Sequence, residues 1–196
     1  MSVKILALAG STREGSFNKK LLAVAIVGAE DAGGEITRVE LKDLALPLYD
    51  GDLEASSGLP AKAKELKRAM IESDALLIAS PEYNSGVSGV LKNAIDWVSR
   101  PEPNEPNLVA FTGKVAAIMS ASPGSLGGLR GLFALRQILS NIGVLVLPDQ
   151  IAITKAPDAF DDSGNLKEPK QQARVREIGR KLVNVAARLK ETENRD

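Results

Sequence analysis

VKILALAGSTREGSFN, residues 3–18, decides the fold. Its first half, Val3–Ala9, is apolar nearly throughout and stops at Gly10, the pattern of a strand buried on both faces. Its second half turns between Gly10 and Gly15 into a stretch where Phe17, Leu21, Val24 or Ala25 and Gly28 recur at helical spacing, up to about Ala29. Ser16 stands where a helix N-cap belongs. A fully buried strand followed at once by an amphipathic helix is the opening of a β-α unit in a parallel sheet.

The same pairing recurs outward from this stretch. ALLIA (75–79) is followed by the turn cluster Ser80–Gly86 and a predicted helix Val87–Ser99, with Val87, Leu91, Ile95 and Val98 on one face. KVAAIMS (114–120) is followed by the Gly-rich turn SPGSLGG (122–128) and a helix Leu129–Ile142. Glu35–Leu41 alternates polar and apolar, as a strand with one wetter face does. Val144–Leu147 reads as a short strand ended by Pro148, with Ile151–Thr154 continuing it after a break. Ala61 to about Glu72 is a Lys/Glu-rich surface helix, and Lys167 to about Glu191 closes the fold with Val175, Ile178, Leu182, Val185 and Leu189 along one stripe. Residues 42–60 and PEPNEPN (101–107) read as loops, the latter as an excursion and not a linker. The expected architecture is α/β: a doubly wound five-stranded parallel sheet with helices on both faces. It forms one domain over residues 1–196, with a frayed tail at 190–196.

Composition narrows the chemistry. The 196 residues carry 25 Lys+Arg and 25 Asp+Glu, so the formal charge is 25 − 25 = 0. That counts against a general basic footprint for nucleic acid or an anionic membrane, and against an acidic carrier that docks by charge. There is no Cys and no His, which removes thiolate nucleophiles, imidazole proton shuttles and the usual zinc and iron–sulfur ligands together. Catalysis is left to a bound cofactor or to Ser, Tyr, Lys and carboxylates. Asp149, Asp158, Asp161 and Asp162 do not converge by spacing, and Asp161–Gly164 is a good turn sequence, so no metal site is expected. MSVKILALAG lacks a signal-peptide pattern, and no run approaches the ~18–20 apolar residues of a membrane span. The expected setting is cytoplasmic, with no nucleic-acid or membrane partner.

In open α/β sheets ligands sit outside the carboxyl ends of the strands, at the point where strand order reverses. Three turns there are rich in Gly, Ser, Asn and Pro. The first, Gly10–Asn18, leads into a helix N-terminus and gathers three hydroxyls, the Arg13 guanidinium and the Asn18 amide, a set suited to an anion. It is neither G-x-G-x-x-G nor a Walker A loop, because Ser16 stands where that loop needs Lys, so a monophosphate fits better than a di- or triphosphate. The plainer alternative is a turn whose Ser and Asn only cap the helix, which leaves Ser11, Arg13 and Asn18 without a reason. The second turn, Ser80–Gly86, has Pro81 and Gly86 to fix a backbone edge for a flat heterocycle, or Gly86 simply supplies positive φ at a helix start. Trp97 and Ile95 read as core or subunit contact. The third turn, Ser120–Gly128, allows close backbone approach to a ligand but is weak alone.

Taken together, GSTREGSFN (10–18), LPLYDGD (46–52), PEYNSGVSGVLKNAIDW (81–97) and SPGSLGGLRG (122–131) resemble the NADPH-dependent FMN reductase family, which includes quinone, chromate and azo-dye reductases of flavodoxin-like fold. The resemblance runs from about residue 3 to 190, and PEYNSGVSGVLKNAIDW is its most specific part. It implies that Ser11, Arg13, Ser16, Phe17 and Asn18 surround the FMN phosphate. It implies that Pro81, Glu82, Tyr83, Asn84, Ser85 and Gly86 run along the isoalloxazine ring, with Ser122 and Gly124 on a third flavin-side loop. It further implies a homodimer or tetramer in which the neighbour helps form the substrate pocket, with Leu48, Tyr49 and Asp50 as candidates for its lip. NADPH or NADH would be the electron donor, with Arg100 and Arg130 as candidate contacts for a 2′-phosphate, and a quinone, chromate, azo compound or free flavin the acceptor. Flavin carries such redox chemistry, so the protein mainly binds and orients, with transfer distances of ~3–3.5 Å and no side-chain acid or base required. A flavodoxin-type electron carrier is the rival expectation; Arg13 and zero net charge count against it. A non-redox mononucleotide-binding protein is a further one.

Overall fold

The computed structural model describes residues 2–193. In chain order the elements are β1 (Val3–Ala9), α1 (Phe17–Glu30), β2 (Gly34–Val39), α2 (Leu41–Leu44), α3 (Gly51–Ser57), α4 (Ala61–Ile71), β3 (Ala75–Ala79), β4 (Glu82–Tyr83), β5 (Gly86–Val87), α5 (Gly89–Val98), β6 (Val115–Ala121), α6 (Leu129–Asn141), β7 (Leu145–Ile153), α7 (Ala156–Ala159) and α8 (Pro169–Glu193). Five strands form one parallel sheet in the order β2-β1-β3-β6-β7. This is the expected doubly wound sheet, and its order reverses between β1 and β3.

Alternation along the strands feeds two cores. Ile5, Ala7, Leu77, Ala117 and Met119 face α1 and α8, where Leu21, Leu22, Val175 and Leu182 cover them. Leu6, Leu8, Leu76, Ile78 and Ile118 face the other way, onto Leu66, Met70, Leu91, Leu132 and Leu139 of α4, α5 and α6. Because helices cover both faces, the central strands are apolar at nearly every position. α1 and α8 cross so closely that glycine is required on both: a Cβ at Gly28 would land on the Arg176 carbonyl, and one at Gly179 on the Ala25 carbonyl.

Several elements differ from the sequence reading. Strand β7 runs through Pro148 without ending. Its register jumps from Ala116↔Val146 to Ile118↔Gln150, a bulge that sets Pro148 out of the ladder on an edge strand. Arg136 of α6 compensates by donating to the carbonyls of Val146 (3.1 Å) and Leu147 (2.7 Å) and to Gln150 Oε1 (2.9 Å). Two short helices, α2 and α3, occupy the segment read as loop; Asp50 caps α3 by accepting from the N–H groups of Asp52 and Leu53. The frayed tail is corrected in part: α8 continues to Glu193, and residues 194–196 lie outside the described residues. The loop 101–107 is pinned to α4, where buried Lys67 pairs with Glu105 and donates to the Arg100 carbonyl at 2.8 Å.

Candidate functional site

The three turns leave the sheet at one level because the ladder continues one bond past each strand. Gly10 N donates to Ala79 O (2.9 Å), Ser80 N to Met119 O (2.8 Å) and Ser122 N to Ile153 O (3.0 Å). The first turn is also pressed against α5: Ser88 Oγ donates to Gly10 O at 2.6 Å, and a Cβ at Gly10 would meet Leu91 at 3.0 Å.

At the first turn, Ser16 has the extended backbone of an N-cap, yet its side chain makes no cap hydrogen bond. The opening N–H groups of α1, those of Phe17 and Asn18, are therefore left by Ser16 to another acceptor. Arg13 is exposed, and its guanidinium enters none of the ion pairs among the described residues. Ser11 is buried, and its Oγ accepts from Arg13 N at 3.4 Å, folding the turn back on itself. The Asn18 side chain is engaged by the scaffold. Its Nδ2 donates to Ala121 O (2.9 Å) and its Oδ1 accepts from Ala121 N (3.0 Å), both buried, so its amide clamps α1 to the end of β6. What Asn18 offers an anion is its backbone N–H. Phe17 is partly buried and stacks on Phe160 with ring centroids 5.9 Å apart.

The second turn is a two-residue hairpin. β4 and β5 pair through Glu82↔Val87 and Tyr83↔Gly86, and the loop residues Asn84 and Ser85 have φ of 50° and 66°. Positive φ at both loop positions is the hairpin geometry that matches strand twist, and Asn accepts it better than most residues. Gly86 is not among the residues with positive φ, so the plainer reason for that glycine, positive φ at a helix start, does not hold. Pro81 is buried, whereas Tyr83, Asn84 and Ser85 are exposed, with Tyr83 at 53%. Glu82 turns away from the hairpin's open side and bonds to Arg130 and Gly131 of α6.

The third turn is tied down by backbone. Ser122 Oγ accepts from Gly124 N (3.2 Å), Ser122 O from Ala156 N (3.0 Å), and Gly124 O from Lys155 N (3.3 Å). Gly127, with φ 62°, presses on Ala152 and Ile153, where a Cβ would come within 2.8 Å of their backbones. Ser122 follows directly on Ala121, the residue that Asn18 of the first turn holds. Neither cation considered for a 2′-phosphate is free. Arg130 pairs with Glu82, and Arg100 lies 5.6 Å over the Tyr49 ring and donates to Ser99 Oγ at 2.9 Å.

One anchoring side chain escaped the sequence reading. Asn93 Nδ2 (2.9 Å) and Trp97 Nε1 (2.8 Å) both donate to Pro47 O, and Asn93 Oδ1 accepts from Tyr49 N at 2.7 Å. This holds the 47–49 segment with Leu48 82% exposed at its tip. Trp97 itself is fully buried, as read. An i, i+4 pair of donors on one helix face was the available signal.

The arrangement is a shelf with an uncapped helix N-terminus and an unpaired Arg at one end, a rigid peptide hairpin in the middle and a small-residue loop beside it. A phosphate fits the first part and a flat ring the second; FMN has both. Residues 3–158 match the family model for NADPH-dependent FMN reductase. An NAD(P)H-dependent FMN reductase of Pseudomonas aeruginosa is 41% identical over 177 residues, 89% of this chain and 90% of that protein. An NADPH:quinone oxidoreductase of Arabidopsis thaliana is 36% identical over 192 residues, covering 95% and 93%. Among solved structures, the flavoenzyme NAD(P)H:(acceptor) oxidoreductase FerB of Paracoccus denitrificans superimposes with a TM-score of 0.80 at 29% identity, covering 95% of this chain and 98% of that one.

Proposed function

The chain belongs to the NADPH-dependent FMN reductase family, and from that premise we propose how its own residues perform an FMN-dependent NAD(P)H oxidoreduction. When bound, FMN would supply the redox chemistry, taking reducing equivalents from NAD(P)H and, once the nicotinamide has left, giving them to a quinone or similar small acceptor such as chromate, an azo compound or free flavin in a ping-pong cycle. The observation that carries the reading is the open N-terminus of α1 beside the unpaired Arg13, at the β1/β3 reversal of the sheet.

In this reading the N–H groups of Phe17 and Asn18, the hydroxyls of Ser11 and Ser16 and the Arg13 guanidinium hold the phosphate. Helix dipole and guanidinium act in the same sense on a dianion. The peptide edge of Pro81–Gly86 runs along the ring, and its N–H groups stabilise negative charge on the reduced ring. No side chain is assigned as a proton donor. Tyr83, Leu126 and Phe133 are exposed at 53%, 46% and 59%, and Leu48 is more exposed still. These support a homodimer, or a tetramer built from it, whose second copy covers the shelf and lends its 48–50 lip. Among the described residues no helix is long and apolar enough to cross a membrane, and a cytoplasmic setting is part of the proposal.

The test is an absorption spectrum of the purified protein with FMN, followed by steady-state turnover of NADPH and NADH against a panel of acceptors. Flavin-dependent turnover with parallel double-reciprocal lines supports the reading. A bound flavin without turnover would make the protein a carrier, and a protein that ignores FMN would remove the site.

A further inference from the structure

Two helices begin beside the shelf, and their N-termini are treated in opposite ways. α1 is left open. α6 begins at Gly128, whose φ of 91° and missing side chain give it no cap of its own. A carboxylate from a different element takes that place. Glu82 Oε2 accepts from Gly131 N at 3.0 Å, and Oε1 receives Arg130 Nε at 2.8 Å and Nη2 at 2.6 Å. The Glu82 side chain is 8% exposed, whereas that of Arg130 is 58% exposed. Gly131 makes room for this approach, since a Cβ there would lie 3.1 Å from Glu82 Cβ and 3.3 Å from Gly86 O.

The hairpin needs such an anchor. Two residue pairs are too few to hold β4 and β5 together unaided, and the loop places two non-glycine residues at positive φ. Burial pushes the Glu82 carboxyl up, but the backbone N–H groups of Gly131 and Arg130 and the Arg130 guanidinium outweigh it and hold the group below the usual carboxylate range. The carboxylate is thus charged at neutral pH.

We propose that Glu82 is a positioning residue: it is the resident anion of α6, and through that bond it fixes the setting of the hairpin that carries Tyr83–Gly86. The proposal rests on the reading that this hairpin edges the flavin ring. It separates two duties. The phosphate is held at α1, whose N-cap side chain makes no cap bond, and the ring is aligned by a hairpin locked to α6, whose N-terminus Glu82 caps.

Titration of apoprotein with FMN and with riboflavin, which lacks the phosphate, tests this, together with the midpoint potential of the bound flavin. Glu82→Ala should weaken both flavins by about tenfold, the scale of one charge-assisted hydrogen bond, and so leave the FMN-to-riboflavin preference unchanged. The midpoint potential should shift with it. Glu82→Gln keeps an acceptor for Gly131 N and should lie between Glu82→Ala and wild type in both readouts. A folded Glu82→Ala protein with wild-type riboflavin affinity and potential overturns the proposal; where that variant does not fold, wild-type values in Glu82→Gln do so. Arg13→Ala is the control for the underlying reading, because it should collapse the FMN-to-riboflavin preference. If it does not, the phosphate site is misplaced irrespective of Glu82.

Discussion

Asn18→Ala is the substitution with the most calculable outcome. The wild-type amide makes two buried bonds, 2.9 and 3.0 Å, to the carbonyl and N–H of Ala121, 103 residues away in sequence. Alanine removes both partners and leaves two buried backbone groups unpaired, each costing ~1–3 kcal/mol, for a total of about 2–6 kcal/mol. Asn18 is 3% exposed, so water has little access to repair the loss without opening the α1–β6 junction. Asn18→Asp separates the two bonds, since a carboxylate still accepts from Ala121 N but opposes Ala121 O. Its charge also lies in the first turn of α1, where it would repel the cofactor phosphate. Urea denaturation of the apoprotein measures the first effect, and FMN titration the second. The expected order of stability is wild type, then Asp, then Ala, while FMN affinity falls furthest in Asp. An Asn18→Ala protein within about 0.5 kcal/mol of wild type would show that these bonds are exchanged for water at no cost, and the clamp would lose its role.

Three further outcomes follow from the same coordinates. Arg13→Ala should weaken FMN by about 1.5–3 kcal/mol, the value of a charged hydrogen bond, while riboflavin affinity stays constant in fluorescence titration. Gly28→Ala should cost ~3 kcal/mol or more in chemical denaturation, because the added methyl meets the Arg176 backbone at a helix crossing that has no slack. Lys114 is buried, donating to the carbonyls of Ser73 and Ile71, and desolvation holds its ammonium below the ordinary 10.5. Between the lowered folded value and 10.5 the unfolded chain binds more protons at this site, so its contribution to stability rises with pH there. The difference in unfolding free energy between wild type and Lys114→Met should therefore move in favour of wild type across that window, and a pH-independent difference would refute the assignment.

The central strands were legible because burial on both faces leaves an unbroken apolar run, as in ALLIA at 75–79. The helices around them were legible from their stripes. Where one residue overrides local pattern, the sequence was mute. Pro148 reads as a strand end, and only the Arg136 donors show how β7 continues past it. The β4–β5 hairpin has two residues per strand, too few for alternation to register. The first turn was visible as a cluster of hydroxyls, Arg and Asn. Their division of labour was not: Asn18 and Glu82 look like ligand groups by type, yet both side chains hold the scaffold, through partners 103 and about 49 residues away. No short-range spacing encodes such a partner.

The bulge in β7 bears on how copies of this chain can meet. A strand at the margin of a sheet is a template for another strand, but Pro148 offers no N–H and the displaced register around it breaks the row of free groups. At the opposite margin, β2 presents Glu35 and Arg38 among its residues, charges that an incoming strand would have to bury. Both margins of the folded sheet thus carry features that oppose its growth from one molecule into the next.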